Sequence, residues 1–409
     1  MMQRFDIIIA GRGLAGMTLA FTLSHLRKGV FSIALIDRPH HAGPSADDRS
    51  FAVSAGSRRF FDRLGLWDHV AGEAQPIREM VITDSRLHDP VRPVFLTFGH
   101  EAELNEAFAH MVPEATLHAA LKKALQHSQV TLIDGQIADM VADDTMAHVT
   151  LDDGHHIDAR LVVACDGARS QLRDKAGIGW FHWSYKQSGI VALIGTERDH
   201  EGRAEEHFLP SGPFAILPLK GQRFSLVWTE ADERVASLLQ LDNDALLEEI
   251  QKRAGLKLGR FTLLSKPRAY PLGFGIARHF GSKRLARVGD AAHIIHPIAG
   301  QGFNLGLRDV AALADILSDH SALGLDPGSS AVIDLYDQKR RADTLEMAWI
   351  TDGLNRLFSN DAMPLRLIRD FGLGLVDRLP TLKSRMIKEA SATSPTLPRL
   401  IRGESLPGL

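Results

Sequence analysis

One cysteine, Cys165, stands in a chain of 409 residues. An intramolecular disulfide and a C-x-x-C redox pair are both excluded, and a reducing compartment is expected. The chain holds no run of about 18 apolar residues, so no membrane-spanning helix is expected. No charged N-terminal region precedes a cleavable apolar run. Residues 5–10 are too short for one and read as a strand, so no signal peptide is expected. A surplus of basic charge is also missing. The net charge is −3, and nucleic acid is not an expected partner. The 19 histidines show no pair at convincing metal-ligand spacing, and no metal site is expected. There is no internal repeat and no low-complexity tract. What remains is ordinary for a globular protein: 44% hydrophobic and 24% charged residues. The length suits two intergrown domains.

The chain is organised around residues 287–308, R-V-G-D-A-A-H-I-I-H-P-I-A-G-Q-G-F-N-L-G-L-R. An apolar strand ends at Val288, and Gly289 and Asp290 turn the chain. His296 and Pro297 lie in a loop, and Gly300-Gln301-Gly302 lead into a helix that starts near Asn304. A glycine cluster opening a helix leaves backbone N–H groups unpaired, which favours an anion. A phosphate fits there, as does the N1–C2=O edge of a reduced flavin. Asp290 is placed to accept from a sugar or ribityl hydroxyl. The same loop also reads as one that only lets the helix pack closely.

A second glycine cluster stands near the start. Residues 5–10 form an apolar strand, Gly11-Arg12-Gly13-Leu14-Ala15-Gly16 follows, and residues 17–26 continue as a helix. This is G-x-G-x-x-G between a strand and a helix, the context that gives it meaning. Gly11 permits the tight turn, Gly13 the approach of a pyrophosphate, and Gly16 close packing of helix on strand. A second strand, 31–36, ends at Asp37, placed to hold the hydroxyls of an adenosine ribose. Arg38 reads as an adenine-edge or solvent residue, because Asp37 would repel a 2′-phosphate. The pattern does not choose between NAD(P) and FAD.

Arg49, in the stretch 47–54 before a helix at 57–64, reads either as a contact to phosphates or a flavin ring or as part of an exposed charge cluster. Residues 161–165 form a buried strand that ends in Asp166-Gly167, where small residues let the chain pass a dinucleotide. Cys165 there reads as a small buried residue. Four strand-like runs follow residue 179, with Gly- or Pro-bearing turns, and the chain returns to the first domain at 283–289. The last third is helical, at 306–319, 331–348, 350–358 and 365–379. The last of these is basic and amphipathic; it reads as a membrane-surface helix or as a helix packed on the core with solvated arginines.

With these motifs in hand, the chain resembles the class A flavoprotein aromatic hydroxylases, which are similar to p-hydroxybenzoate hydroxylase. Within them it is most similar to the ubiquinone-biosynthesis monooxygenases of the UbiH/UbiF/VisC type. Four segments carry the likeness: Asp48-Arg49-Ser50-Phe51-Ala52-Val53-Ser54, Phe208-Leu209-Pro210-Ser211-Gly212-Pro213, the stretch 289–309, and Thr351-Asp352-Gly353-Leu354. One departure is that Val112-Pro113-Glu114-Ala115 stands where the family usually has V-E-N-R, so a basic side chain expected near the flavin is missing.

The resemblance implies an α/β fold: a Rossmann-like FAD-binding domain interleaved with an antiparallel β-sheet substrate domain, and a helical C-terminal segment. The expected division gives 1–75, 111–179 and 283–345 to FAD, 76–110 and 180–282 to the substrate sheet, and 346–409 to the helical segment. Gly11, Gly13, Leu14, Ala15 and Gly16 would bind the pyrophosphate, Asp37 and Arg38 the adenosine end, and Arg49 the phosphates. Asp166, Gly289 and Asp290 would lie along the dinucleotide, and Pro297, Gly300, Gln301, Gly302 and Asn304 would line the isoalloxazine.

The implied activity is hydroxylation of a polyprenylated phenol or quinone precursor. NAD(P)H acts as a transient reductant, O₂ as co-substrate, and a flavin C4a-hydroperoxide as the oxygen donor. His293 and His296, beside Pro297, are the local groups able to relay a proton; the alternative for both is positioning of the loop. A quinone-biosynthesis complex and a peripheral contact with the inner face of the membrane are the expected partners of a cytoplasmic protein. The rivals are a hydroxylase of a soluble phenol, a geranylgeranyl-reductase-like flavoprotein, a flavin halogenase and a non-catalytic binding protein. The halogenase would want W-x-W-x-I-P, which Trp180-Phe181-His182-Trp183 lacks.

Overall fold

The apolar run near the start becomes the middle of an eight-stranded sheet. Gln3–Ala10 pairs in parallel with Ile33–Asp37 on one side and His156–Ala164 on the other. Thr131–Asp134 and Leu285–Arg287 extend the parallel order outward. Ile7, Ile8 and Ile9 are fully buried because both faces of the sheet are covered. Ile7 and Ile9 join the cluster built with helices Leu14–His25, Glu114–Gln126 and Gln301–Ala322. Ile8 joins the opposite cluster, with Val149 and Leu151 of an antiparallel hairpin. The structure, a computed structural model, describes residues 3–26, 29–38, 49–84, 94–98, 107–358 and 394–407.

A nine-stranded sheet is built around Trp180–Thr196, a strand of 17 residues. Arg268–Ala277 and Arg223–Ala231 flank it in antiparallel pairing, and Gly212–Leu219 and Arg203–Leu209 continue the sheet. One junction departs from the antiparallel expectation: Arg203–Leu209 and Glu79–Asp84 run parallel. The two come from segments far apart in sequence, so no hairpin dictates their direction. A third, three-stranded sheet joins Ser50–Ser54, Ala109–Pro113 and Gln75–Ile77. The connection between the large sheets positions the site. Leu285–Arg287 lies in the first sheet, and His293–Ile294 pairs with Gly275 and Ile276 of the second. The glycine-aspartate turn therefore sits where the two sheets meet.

Several local expectations are corrected. Ser50–Ser54 is a strand and not a loop, and the helix after it is Ala55–Arg63, capped by Ser54. Its short Phe-Ala-Val centre gives too weak an alternation to read alone. The 301–322 helix begins at Gln301, with Gly302 inside its first turn. Residues 331–348 and 350–358 belong to one helix, Ser330–Phe358, because no breaker separates them. The cap of helix Asn243–Ala254 is Asp242, which accepts from the Ala245 N–H at 2.8 Å. Residues 394–407 fold back onto the cofactor side: Leu397, Leu400, Ile401 and Leu406 are buried in the large core. Arg399 donates to Asp315 and Asp319 of helix Gln301–Ala322. Asp48 and the basic stretch 365–379 lie outside the described residues.

Candidate cofactor and active site

The first glycine turn is closed by contact. A Cβ on Gly11 would stand 2.3 Å from the Cys165 carbonyl oxygen, and one on Gly16 would stand 2.0 Å from the Gly11 carbonyl oxygen. Gly11 also has φ +107°, a region that L side chains avoid. Gly13 differs: its Cβ would meet nothing within 4 Å. The helix opening there has no side-chain cap, so its first N–H groups face that open space, flanked by buried Leu14 and half-buried Ala15. Cys165 is buried and its thiol is pushed well up by that burial, which fits a packing role.

Asp37 ends its strand beside this turn. Its Oδ2 accepts the Arg12 backbone N–H at 2.7 Å and its Oδ1 accepts the Arg38 N–H at 2.8 Å. The Arg38 guanidinium is exposed and pairs with Asp152 at 3.2 Å. Arg49 pairs with Glu114 at 3.0 Å and lies over the Tyr270 ring at 5.3 Å. Glu114 belongs to the stretch where a basic side chain was expected, and it holds a basic one instead. Asp166 accepts the Leu172 N–H with Oδ2 at 3.3 Å, while its buried Oδ1 has no partner among the described residues.

The second glycine turn lies against the first. A Cβ on Gly289 would touch that of Ala15 at 3.5 Å, and one on Gly306 would touch Gly289 at 3.5 Å. Asp290 is exposed, and the protein packed around it raises its carboxyl above the usual range. His293 lies in the interior. Its Nε2 is 2.6 Å from Asp309 Oδ2, which also accepts the Gly289 N–H at 2.9 Å. Asp309 Oδ1 accepts from Arg340 Nε at 2.6 Å, and Asp343 pairs with Arg340 and Arg308. Burial would raise the Asp309 carboxyl, but the fields of His293 and Arg340 hold it below the usual range.

His296 is buried with no hydrogen-bond partner for either ring nitrogen among the described residues, and burial pushes it down to about 4. Its ring meets Tyr185 edge-to-face at 5.2 Å. Pro297 is exposed beside it. Gly300 sits at φ +63°, with a would-be Cβ 3.1 Å from that of Ala52. Gln301 and Gly302 are half-buried, and Gly302 faces open space.

Asn304 is buried and its amide is saturated. Its oxygen accepts from Ser54 N at 3.0 Å and Ser57 Oγ at 2.8 Å, and its Nδ2 donates to the Ala52 and Gly300 carbonyls at 2.8 and 3.1 Å.

Sequence reasoning missed the braces of this site: Asp309, Arg340, Asp343, Ser57 and Tyr185. Asp309 stood inside a motif quoted for the resemblance, which marked it without giving it a contact.

The residues present fit FAD. Gly13 and Gly302 leave open space at the openings of two helices, and both helices lack side-chain caps. The orphaned Asp166 oxygen and the exposed Asp290 carboxyl offer acceptors to hydroxyls. Among the described residues, no group of three or more His, Cys, Asp or Glu could hold a metal, and no helix is long and apolar enough to cross a membrane.

The chain is 42% identical to the ubiquinone hydroxylase UbiL of Rhodospirillum rubrum, over 98% of this chain and 93% of that protein. It is 36% identical to the 3-demethoxyubiquinol 3-hydroxylase of Escherichia coli, over 95% of this chain and 98% of that one. In fold it is similar to the p-nitrophenol 4-monooxygenase PnpA of Pseudomonas putida, with a TM-score of 0.77, 17% identity, and coverage of 99% and 100% of the two chains. The family described as FAD binding domain matches residues 4–348, and this chain belongs to it.

Proposed function

We propose that this protein is an FAD-dependent monooxygenase that hydroxylates the aromatic ring of a polyprenylated phenol or quinone precursor in ubiquinone biosynthesis, with NAD(P)H and O₂ as co-substrates. The observation that carries this reading is the 42% identity, along 98% of the chain, to a ubiquinone hydroxylase. FAD, when bound, supplies electron transfer from NAD(P)H and delivery of one oxygen atom.

The chain's own residues bind, orient and shield. The amides at Gly11, Gly13, Leu14, Ala15 and Gly16 would take the pyrophosphate, with Arg49 adding positive charge and Asp37 holding the ribose. Arg38 would stay with Asp152 at the adenosine end. Asp166, Gly289 and Asp290 would hold the ribityl region. The opening of helix Gln301–Ala322 at Gly302, which no side chain caps, would stabilise negative charge on the flavin edge, with Gln301 and Pro297 beside it. Asn304 would act by shaping the Gly300 turn, since its amide is engaged within the protein. His293 would act through Asp309, which fixes Gly289. His296 remains as the neutral imidazole able to hold or move a proton.

An apolar substrate brings the protein to the inner face of the membrane from the cytoplasmic side, through a peripheral contact, and makes a complex with other quinone-synthesis enzymes useful. Mass spectrometry of lipid extracts from cells lacking this protein tests the reading. Accumulation of a polyprenylphenol or quinone precursor short of one oxygen is expected; an unchanged quinone pool would count against it.

A further inference from the structure

The strand Trp180–Thr196 does not run regularly past the site. Ser184 pairs with Gly273, and the next pairing is Gln187 with Leu272, so Tyr185 and Lys186 are bulged out of register. Lys186 sits at φ +58°, a left-handed conformation that is unfavourable for a side chain of its kind. A bulge of this sort re-aims a side chain, and strain of this sort persists where surrounding contacts hold it. Here the re-aimed side chain is Tyr185. Its hydroxyl donates to Asp352 Oδ1 at 2.8 Å, and its ring stands edge-to-face on His296. Asp352 is buried and is held in turn by Arg356 at 2.9 Å. It belongs to Thr351-Asp352-Gly353-Leu354, a motif that the cofactor site leaves without a role.

The second observation is His296 itself. It is 1% exposed, and both ring nitrogens lack a partner among the described residues. A neutral imidazole carries one donor and one acceptor, and leaving both unmet in the interior is costly. A phenol hydroxyl meets the acceptor half of that pair, because it can donate to the unprotonated nitrogen. Drawing the phenolic proton toward a base raises electron density on the ring, which suits attack by an electrophilic oxygen. The strand beside Tyr185 is aromatic: Trp183 lies edge-on to the Tyr185 ring at 6.4 Å and stacks on Phe274 at 4.0 Å.

We propose that Asp352 and Tyr185 are positioning residues for the hydroxylation. Asp352 fixes the bulged tyrosine, the tyrosine ring fixes the His296 imidazole, and His296 binds the hydroxyl of the substrate ring. The proposal rests on the functional reading above.

Two measurements on the FAD-loaded full chain test it. The first needs no substrate: modification of His296 by diethyl pyrocarbonate, read by peptide mass spectrometry with the exposed His155 and His182 as internal references. Tyr185→Phe and Asp352→Ala are expected to raise the rate at His296 about tenfold, as loss of a hydrogen bond to a charged group would allow. Asp352→Asn, which keeps an acceptor for the tyrosine, is expected to stay near wild type. The second is the fraction of NAD(P)H oxidation that yields hydroxylated product from a short-chain prenylphenol in detergent micelles. Tyr185→Phe should lower that fraction several-fold, and adding it to His296→Asn should lower it no further, because the tyrosine acts through the histidine.

Unchanged labelling of His296 in both Tyr185→Phe and Asp352→Ala overturns the proposal. So does exposure of His296 with coupling intact, and so do additive effects in the double variant. A wild-type protein that leaves the prenylphenol unmodified instead sinks the substrate reading, and the labelling rates still decide whether the pair holds His296.

Discussion

His293 Nε2 and Asp309 Oδ2 face each other at 2.6 Å in the interior, with side chains 1% and 0% exposed. The same carboxylate takes the Gly289 N–H and the Arg340 guanidinium, so one buried group ties the glycine-aspartate turn to two helices. Removing it leaves Arg340 facing Asp343 alone. Asp309→Ala is expected to destabilise the protein on the order of 3–5 kcal/mol, the usual cost of breaking a buried pair from one side. Thermal unfolding and FAD content per chain, measured together, check this. A variant with wild-type stability and full FAD would contradict the bracing role.

Gly13 and Gly16 separate folding from cofactor binding. A methyl on Gly16 would collide with the Gly11 carbonyl oxygen at 2.0 Å, so Gly16→Ala should lose both fold stability and FAD. Gly13 has an ordinary φ of −69° and open space at its Cβ. Gly13→Ala should therefore melt near the wild-type temperature in its FAD-free form while binding FAD at least tenfold more weakly. Isothermal titration of the FAD-free proteins reads the difference, and equal affinity would remove the pyrophosphate from this turn.

Asn304 holds Ser54, Ser57, Ala52 and Gly300 with one amide. Ser57→Ala removes one bond of the four and should cost about 1 kcal/mol. Asn304→Ala strands the other groups, and it should cost several times more and lower FAD occupancy. Denaturant unfolding of the two variants side by side checks the ratio; equal losses would mean that the amide is not the hub.

The parallel sheet and its glycine turn were legible because their signals are local. Residues 7–10 form an unbroken apolar run, Gly11–Gly16 follows at once, and Asp37 ends the next strand. The nine-stranded sheet was legible from its turns, as at Pro210 to Pro213. What could not be read depends on contacts across the chain. Asp309 reaches back 20 residues to Gly289, and Asn304 reaches about 250 residues to Ser54 and Ser57. The return of Leu400 and Ile401 to the core follows a basic stretch whose composition points toward solvent or membrane. The bulge at Tyr185 is invisible because W-S-Y-K alternates like any strand, and only the pairing register shows the two extra residues.

Two imidazoles give the fold an acid limit. Burial pushes His110 and His296 down to about 4, with Arg58 adding to the effect at His110. In the unfolded chain both titrate near 6.5, so between those values the unfolded state binds protons that the folded state refuses. Stability is therefore held above about pH 6.5 and lost as the pH falls toward 4, by up to roughly 3 kcal/mol for the buried His296 and by less for the half-buried His110, where solvent screens the charge. His296→Phe should lose less stability than wild type between pH 7 and 5. Parallel pH slopes in urea unfolding would contradict the depressed titration of His296.

Turnover under ¹⁸O₂ tests the central claim most directly. Purified protein loaded with FAD would be given NAD(P)H and a prenylphenol in micelles, and the product would be weighed by mass spectrometry. The account predicts one ¹⁸O atom on the aromatic ring for each product molecule. Oxidation of NAD(P)H with an unmodified phenol, or product carrying oxygen from water, would contradict it.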